Sequence, residues 1–184
     1  MDVKASNNID SKKMLIMGLD KSGKTSIVFC LKGIKNIASF SSITPTKGIS
    51  RETFRVYGSE FNVWDFGGQE QFRTDYIDNF EKNIIGTDKI IFVIDIQDNK
   101  RYELAFQYLM KVINNLQASK KKHDIDFSIF FHKYDPDLGM INKEFDDKKA
   151  DAFIEEIKNK IPSNFKYGLV KTSIYTVFQK ANIH

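Results

Sequence analysis

Gly18-Leu19-Asp20-Lys21-Ser22-Gly23-Lys24-Thr25 decides how the rest of the chain is read. The spacing is that of a P-loop: Gly, four residues, then Gly-Lys-Thr. Before it runs Met14-Leu15-Ile16-Met17, which predicts a buried strand. After it runs Ser26-Ile27-Val28-Phe29-Cys30-Leu31, which predicts a helix with Ile27 and Leu31 on its inner face. Strand, glycine-rich turn and helix is the context that lets backbone N–H groups close around phosphate oxygens. The helix start adds its partial positive charge. Asp20, Lys21, Ser22, Gly23, Lys24, Thr25 and Ser26 are therefore candidate phosphate contacts. Lys24 would reach the outer phosphates, and the Thr25 hydroxyl would bind Mg²⁺.

The 184 residues are expected to form one domain, with 1–11 a loosely held lead-in and 12–184 the folded unit. Apolar residues make up 41%, enough for a sizeable core, and sixteen Phe suggest a large sheet to cover. Cys30, the one cysteine, has no partner for an internal disulfide and reads as a small core residue in a reducing, cytoplasmic setting. No apolar stretch approaches the length of a membrane span, and Met1 to Lys13 is too polar for a signal peptide. Asp2 excludes N-myristoylation and the end, Ala181 to His184, carries no prenylation cysteine, so no covalent lipid anchor is expected. Any membrane contact would be peripheral, through a partner. The net charge is +4, but the densest basic run, Lys120-Lys121-Lys122-His123, sits at a predicted helix end where cations suit the dipole. No nucleic-acid partner is expected.

Lys12 to Gly18 is the first predicted strand, and the first helix ends near Gly33. Ile34 to Lys47 reads as a long functional loop. Alternation from Ile49 to Tyr57 and from Glu60 to Asp65, across Gly58-Ser59, predicts a β-hairpin. Gln71 to Lys82 predicts an irregular helix. Lys89-Ile90-Ile91-Phe92-Val93-Ile94-Asp95 suits a strand buried on both faces of a parallel sheet. A helix over Tyr102–Leu116, a strand over Ile125–His132, a loop at Asp135–Gly139 and a helix over Asp147–Lys160 follow. Tyr167–Lys171 is the last predicted strand and Tyr175–Asn182 a short last helix. The alternation predicts an α/β three-layer sandwich: a mostly parallel six-stranded sheet with one antiparallel strand, flanked by about five helices. Ligands in such sheets bind at the carboxyl ends of strands, where the candidate residues fall.

Asp65-Phe66-Gly67-Gly68-Gln69 ends a predicted strand. Asp65 can hold Mg²⁺ through water, the Gly68 N–H can approach a γ-phosphate, and the Gln69 amide can orient an attacking water. Thr46, in Thr44-Pro45-Thr46, would complete the metal shell when a γ-phosphate draws its loop in. In Phe131-His132-Lys133-Tyr134-Asp135 the Asp135 carboxylate can accept from guanine N1–H and the 2-amino group, which adenine cannot match, while the Lys133 stem lies along the ring. In Thr172-Ser173-Ile174 the Ser173 N–H could donate to guanine O6, with N-capping as the competing use of either hydroxyl.

These four motifs in this order resemble the Ras-like small GTPases across residues 13–182. Gly18-Leu19-Asp20, Pro45-Thr46-Lys47-Gly48 and Trp64 to Gln69 are similar to the Arf group. Lys21 to Lys24, Gly68 to Phe72, Phe92 to Asp98, Phe131-His132-Lys133 with Asp135, and Thr172 to Tyr175 are similar to the Rag GTPases. His132 stands where most Ras-like proteins have Asn. The resemblance implies a Ras-like G domain that binds GTP and GDP with Mg²⁺ and hydrolyses GTP slowly, with switch loops at about 39–49 and 66–80. Lys24 and Gln69 would be catalytic; Thr25, Thr46 and Asp65 would hold the metal; Gly68 would contact phosphate. His132, Lys133, Asp135, Thr172, Ser173 and Ile174 would contact the base. Activating, exchange and effector proteins are implied, and a homo- or heterodimer is left open, since the Rag dimerisation domain has no counterpart here. Asp20 occupies the loop position beside the reaction centre, where a side chain can crowd an arginine finger. Two other functions compete: a non-hydrolysing guanine-nucleotide scaffold within a Rag-like heteromeric complex, and an ATP-using P-loop enzyme, which Asp135 argues against.

Overall fold

The computed structural model describes residues 10–120, 125–143 and 145–174. Strand β1 (Ser11–Gly18) begins one residue earlier than expected and runs into the phosphate loop and helix α1 (Lys24–Leu31). A short helix α2 (Ile37–Ser41) precedes the hairpin of β2 (Ile49–Val56) and β3 (Ser59–Phe66). Helices α3 (Glu70–Asp78) and α4 (Phe80–Asn83) lead to β4 (Lys89–Asp95). A 3₁₀ turn at Asn99–Arg101 opens α5 (Tyr102–Ala118), and β5 (Asp126–His132) follows. Helices α6 (Leu138–Ile141) and α7 (Asp147–Lys160) and strand β6 (Gly168–Lys171) complete the described chain.

The sheet has the order β2-β3-β1-β4-β5-β6. β2 pairs antiparallel with β3, and every other pairing is parallel. The expected mostly parallel six-stranded α/β sandwich is therefore observed. β1 lies between β3 and β4, so its carboxyl end is the point where the connections part, the place at which such sheets leave a crevice for a ligand.

Alternation along the central strands feeds two cores. Leu15 and Met17 of β1 and Ile90, Phe92 and Ile94 of β4 join the larger one, with Tyr108, Leu109, Val112 and Ile113 of α5 and Phe153 and Ile157 of α7. Ile16, Ile91 and Val93 face the other way, onto Ile27 and Val28 of α1. Residues that alternate between two faces of one strand create the three layers.

Five expectations change. The 34–47 stretch is not all loop: Asn36 accepts a hydrogen bond from Ala38 N–H at 3.0 Å and caps α2. The 71–82 helix breaks at Asn79, and residues 138–141 form a single turn; with the short helices α2, α4 and α6 added, the described residues hold seven α-helices where about five were expected of the whole chain. Cys30 is exposed rather than in the core. Burial on α1 is confined to Lys24, Ile27 and Val28, and Cys30, two positions past Val28, projects from the opposite side. Leu31, in the terminal turn, is 39% exposed rather than inward. The predicted Tyr175–Asn182 helix, Lys121 to His123 and residues 1–9 of the lead-in lie outside the described residues.

Phe92 is fully buried, its ring 5.3 Å from that of Tyr108. Phe92→Ala is expected to cost about 3–5 kcal/mol in urea unfolding, from lost transfer energy and the cavity left behind.

Candidate functional site

The carboxyl ends of β1, β3, β4 and β5 converge on two adjoining chambers. One, of about 370 Å³, is lined by Asp20, Lys21 and Gly23 to Ser26 of the phosphate loop, by Ile43 to Thr46 and by Gly67, Gly68 and Gln69. The other, of about 390 Å³, is lined by Lys35, Ile37 and Phe40 of the α2 region and by His132, Asp135 and Ile174. Gly23, Ser26 and Lys133 line both, so the two are halves of one elongated site.

The phosphate loop turns through positive φ at Lys21 (61°) and Gly23 (92°). Gly23 has no alternative: a Cβ there would lie 2.4 Å from the His132 ring. Lys24 is 5% exposed, and its Nζ donates to Leu19 O at 2.6 Å. Burial lowers its pKa to about 8, with Asp65 pulling the other way. Ser22 Oγ is buried without a partner. A buried cation within a glycine-rich loop at a helix start suits an anionic ligand, while Ser22 faces the small cavity behind the loop.

Asp65, at the end of β3, is 2% exposed. Thr25 Oγ1 donates to its Oδ2 at 2.6 Å and Thr46 Oγ1 to the same atom at 3.1 Å, with the two hydroxyls 3.2 Å apart. Burial raises the Asp65 pKa, while the Thr25 bond and Lys24 oppose it. Its Oδ1 is buried and unpartnered. Three hard oxygens and an unsatisfied lone pair fit a cation such as Mg²⁺. Among the described residues no cluster of three His, Cys, Asp or Glu could hold a metal alone. One carboxylate and two hydroxyls fall well short of an octahedral shell, as expected where ligand phosphates and water supply the remaining oxygens.

Thr46 thus stands beside Thr25 with its loop drawn in. Gly48 O accepts from Gly67 N–H at 2.9 Å and from the Tyr76 hydroxyl at 2.7 Å, which ties this loop to the start and middle of the 66–80 stretch. Gly68 packs on the phosphate loop so closely that a Cβ would fall 2.0 Å from Asp20 N. Gln69 Oε1 is buried without a partner, beside Gly67.

At the other chamber, His132 is 3% exposed and its Nδ1 lies 2.9 Å from Thr172 Oγ1. Burial and the Lys133 charge lower its pKa. Lys133, in a positive-φ conformation, donates from Nζ to Lys21 O at 2.9 Å and to Asp95 Oδ2 at 2.5 Å. Asp135 accepts from the Ser173 hydroxyl at Oδ1 and from Gln97 Nε2 at Oδ2, at 3.3 Å. Each oxygen keeps a second lone pair. The Thr172 hydroxyl is occupied by His132, so that residue supports the base loop from behind; Ile174 lines the chamber directly.

The structure thus gathers the candidates around one site and adds residues that sequence reading missed. Ile37 and Phe40 stand at helical spacing after a capping Asn36, the signal that marks α2. Gln97 also donates to Lys133 O at 2.8 Å, and nothing local in the sequence singles it out. Arg101 reaches Asp20 across the loop.

The family model for the Arf, or ADP-ribosylation factor, family matches residues 3–176. The chain belongs to the ADP-ribosylation factor family. The Arf half of the resemblance is thereby shown, and with it the general character of a GTP-binding small GTPase. In this member of the Arf family the Gly68-on-Asp20 packing and the Thr46–Thr25 contact place the 66–80 and 39–49 segments against the phosphate loop.

His132 gives the fold a pH dependence of known sign. The folded chain keeps the imidazole neutral below its ordinary pKa of 6.5, whereas the unfolded chain takes up a proton there. Stability is therefore expected to fall as pH drops through 6.5, and to stop falling below the folded pKa. Melting temperatures across pH 5–8 should show a shallower slope for His132→Asn than for the parent.

Proposed function

We propose that this Arf-family chain is a switch that binds guanosine di- and triphosphate with Mg²⁺ and slowly hydrolyses the triphosphate. The observation that carries the reading is the buried Lys24 ammonium beside the unsatisfied Asp65 carboxylate, with the Thr25 and Thr46 hydroxyls between the two loops. Lys24 would stabilise charge on the transferring phosphoryl group, and the loop amides would hold the phosphates. Thr25 and Thr46 would ligate Mg²⁺ and Asp65 would hold it through water. Bound there, Mg²⁺ supplies charge neutralisation at the phosphate oxygens.

Gln69 would orient the attacking water. The water oxygen bonds to the γ-phosphorus, the bond to the bridging oxygen breaks, and GDP and phosphate leave. Such positioning chemistry is slow without help, on the order of 10⁻⁴ to 10⁻² per second, which makes an activating partner part of the proposal. Asp135, steadied by Ser173 and Gln97, would read the guanine N1–H and 2-amino group. His132, Lys133, Ser173 and Ile174 would frame the ring. The His132 substitution supports a Rag-like base loop on an Arf-type phosphate site, and we place the chain between those groups in the cytoplasm, membrane contact coming through a partner.

Gln69→Leu is expected to keep triphosphate binding and lose at least tenfold in single-turnover phosphate release; unchanged release would remove Gln69 from the mechanism, and a parent chain that binds the triphosphate but releases no phosphate would favour the non-hydrolysing scaffold. Asp135→Asn is expected to shift preference from GTP toward xanthosine triphosphate in competition binding. Equal affinity of the parent for ATP and GTP would overturn the base assignment.

A further inference from the structure

Asp20 is an acidic residue placed where negative charge is bound. It lines the phosphate chamber, and it also lines a small cavity on the other side of the loop with Asp98, Arg101 and Tyr102. Arg101 decides which side the carboxylate takes. Its Nη1 donates to Asp20 Oδ1 at 2.8 Å and its Nη2 to the Asp20 backbone carbonyl at 3.1 Å. Its Nε donates to Asp98 Oδ2 at 2.5 Å, so the guanidinium is itself aimed by a second carboxylate. The 3₁₀ turn at Asn99–Arg101 supplies the geometry, with Arg101 N–H on Asp98 O at 3.1 Å.

These side chains are a quarter to a third exposed, so the pair contributes little to stability. The planar fork gives direction instead: one guanidinium fixes a side chain and a main-chain carbonyl of the same loop residue. Gly68 packs directly on that residue's N–H, which puts Asp20 at the phosphate-facing contact between the two loops.

We propose that Arg101 is a positioning residue of the phosphate site. It holds the Asp20 carboxylate out of the phosphate chamber and pins the loop carbonyl, so that the loop presents amides and Lys24 to an incoming polyphosphate. Without it, the carboxylate is free to turn inward and repel the phosphates. The repulsion grows with the number of phosphates and is greatest for a triphosphate, whose terminal group lies toward Gly68. The proposal rests on reading the site as a nucleotide polyphosphate site.

The test measures binding of fluorescently labelled GTP, GDP and GMP to the full chain, its Arg101→Ala variant and the Arg101→Ala/Asp20→Asn double variant. Arg101→Ala is expected to lose tenfold or more in GTP affinity, less in GDP affinity, and nothing for GMP. Added salt should shrink the deficit, because it screens repulsion. The double variant should recover most of the loss, and Arg101→Lys, which keeps the charge without the fork, should fall between. An Arg101→Ala deficit that is equal for all three nucleotides, indifferent to salt or unrepaired by Asp20→Asn overturns the proposal, as does no deficit at all. A parent chain that binds none of the three overturns the nucleotide reading itself, before any variant is compared.

Discussion

A buried ammonium organises this molecule. Lys24 sits at the start of α1, 5% exposed, with the carbonyl of Leu19 as its hydrogen-bond acceptor and Asp65 pulling on its charge from nearby. Burying a cation costs several kcal/mol unless an anion shares the space. Asp65 is the carboxylate that acts on it most strongly, ahead of Asp20, and one Asp65 oxygen is committed to the Thr25 and Thr46 hydroxyls. The remaining positive character and the loop around it are left facing a chamber. The free chain therefore carries an unmet demand for negative charge at the switch point of its sheet, and a polyphosphate answers it.

That demand reaches the 39–49 and 66–80 segments through very few contacts. Thr46 is held at Asp65, and two residues later the Gly48 carbonyl accepts from both Gly67 and Tyr76. Whatever pulls on Thr46 is therefore felt at the first residues of the second loop and in the middle of α3. The Tyr76 phenol is pushed up to about 12 by burial, so it stays a hydrogen-bond donor across the ordinary pH range. A neutral, permanent donor on a shared carbonyl links two loops without adding a titration of its own.

The frame was legible because it is written in local patterns. The run Lys89 to Asp95 reads as a doubly buried strand from its unbroken apolar character, and the hairpin from alternation across Gly58-Ser59. The phosphate and base motifs are local as well, and each lands at a strand's carboxyl end. What escaped reading depends on distance in the chain or on which side of a helix a residue takes. Cys30 looked internal because its neighbours are apolar, yet two positions beyond Val28 it turns outward. Gln97 acquires meaning from Asp135 and Lys133, neither of them near it in sequence. Asn36 was the legible exception: a capping residue before Ile37 and Phe40 that the loop-like composition concealed.

The base and phosphate halves are not independent. Gly23 lies against the His132 ring with no room for a Cβ, Lys133 donates to the Lys21 carbonyl, and His132 in turn is braced by Thr172. The end of β5 thus locks onto the phosphate loop, and the end of β6 braces it. A ring in place of the smaller amide usual in Ras-like chains fills the space between base loop and phosphate loop, which makes the Gly23 turn and the His132 ring a matched pair. Any displacement of the His132–Lys133 backbone would therefore press on Gly23 and pull on the Lys21 carbonyl, the two points at which the phosphate loop turns through positive φ.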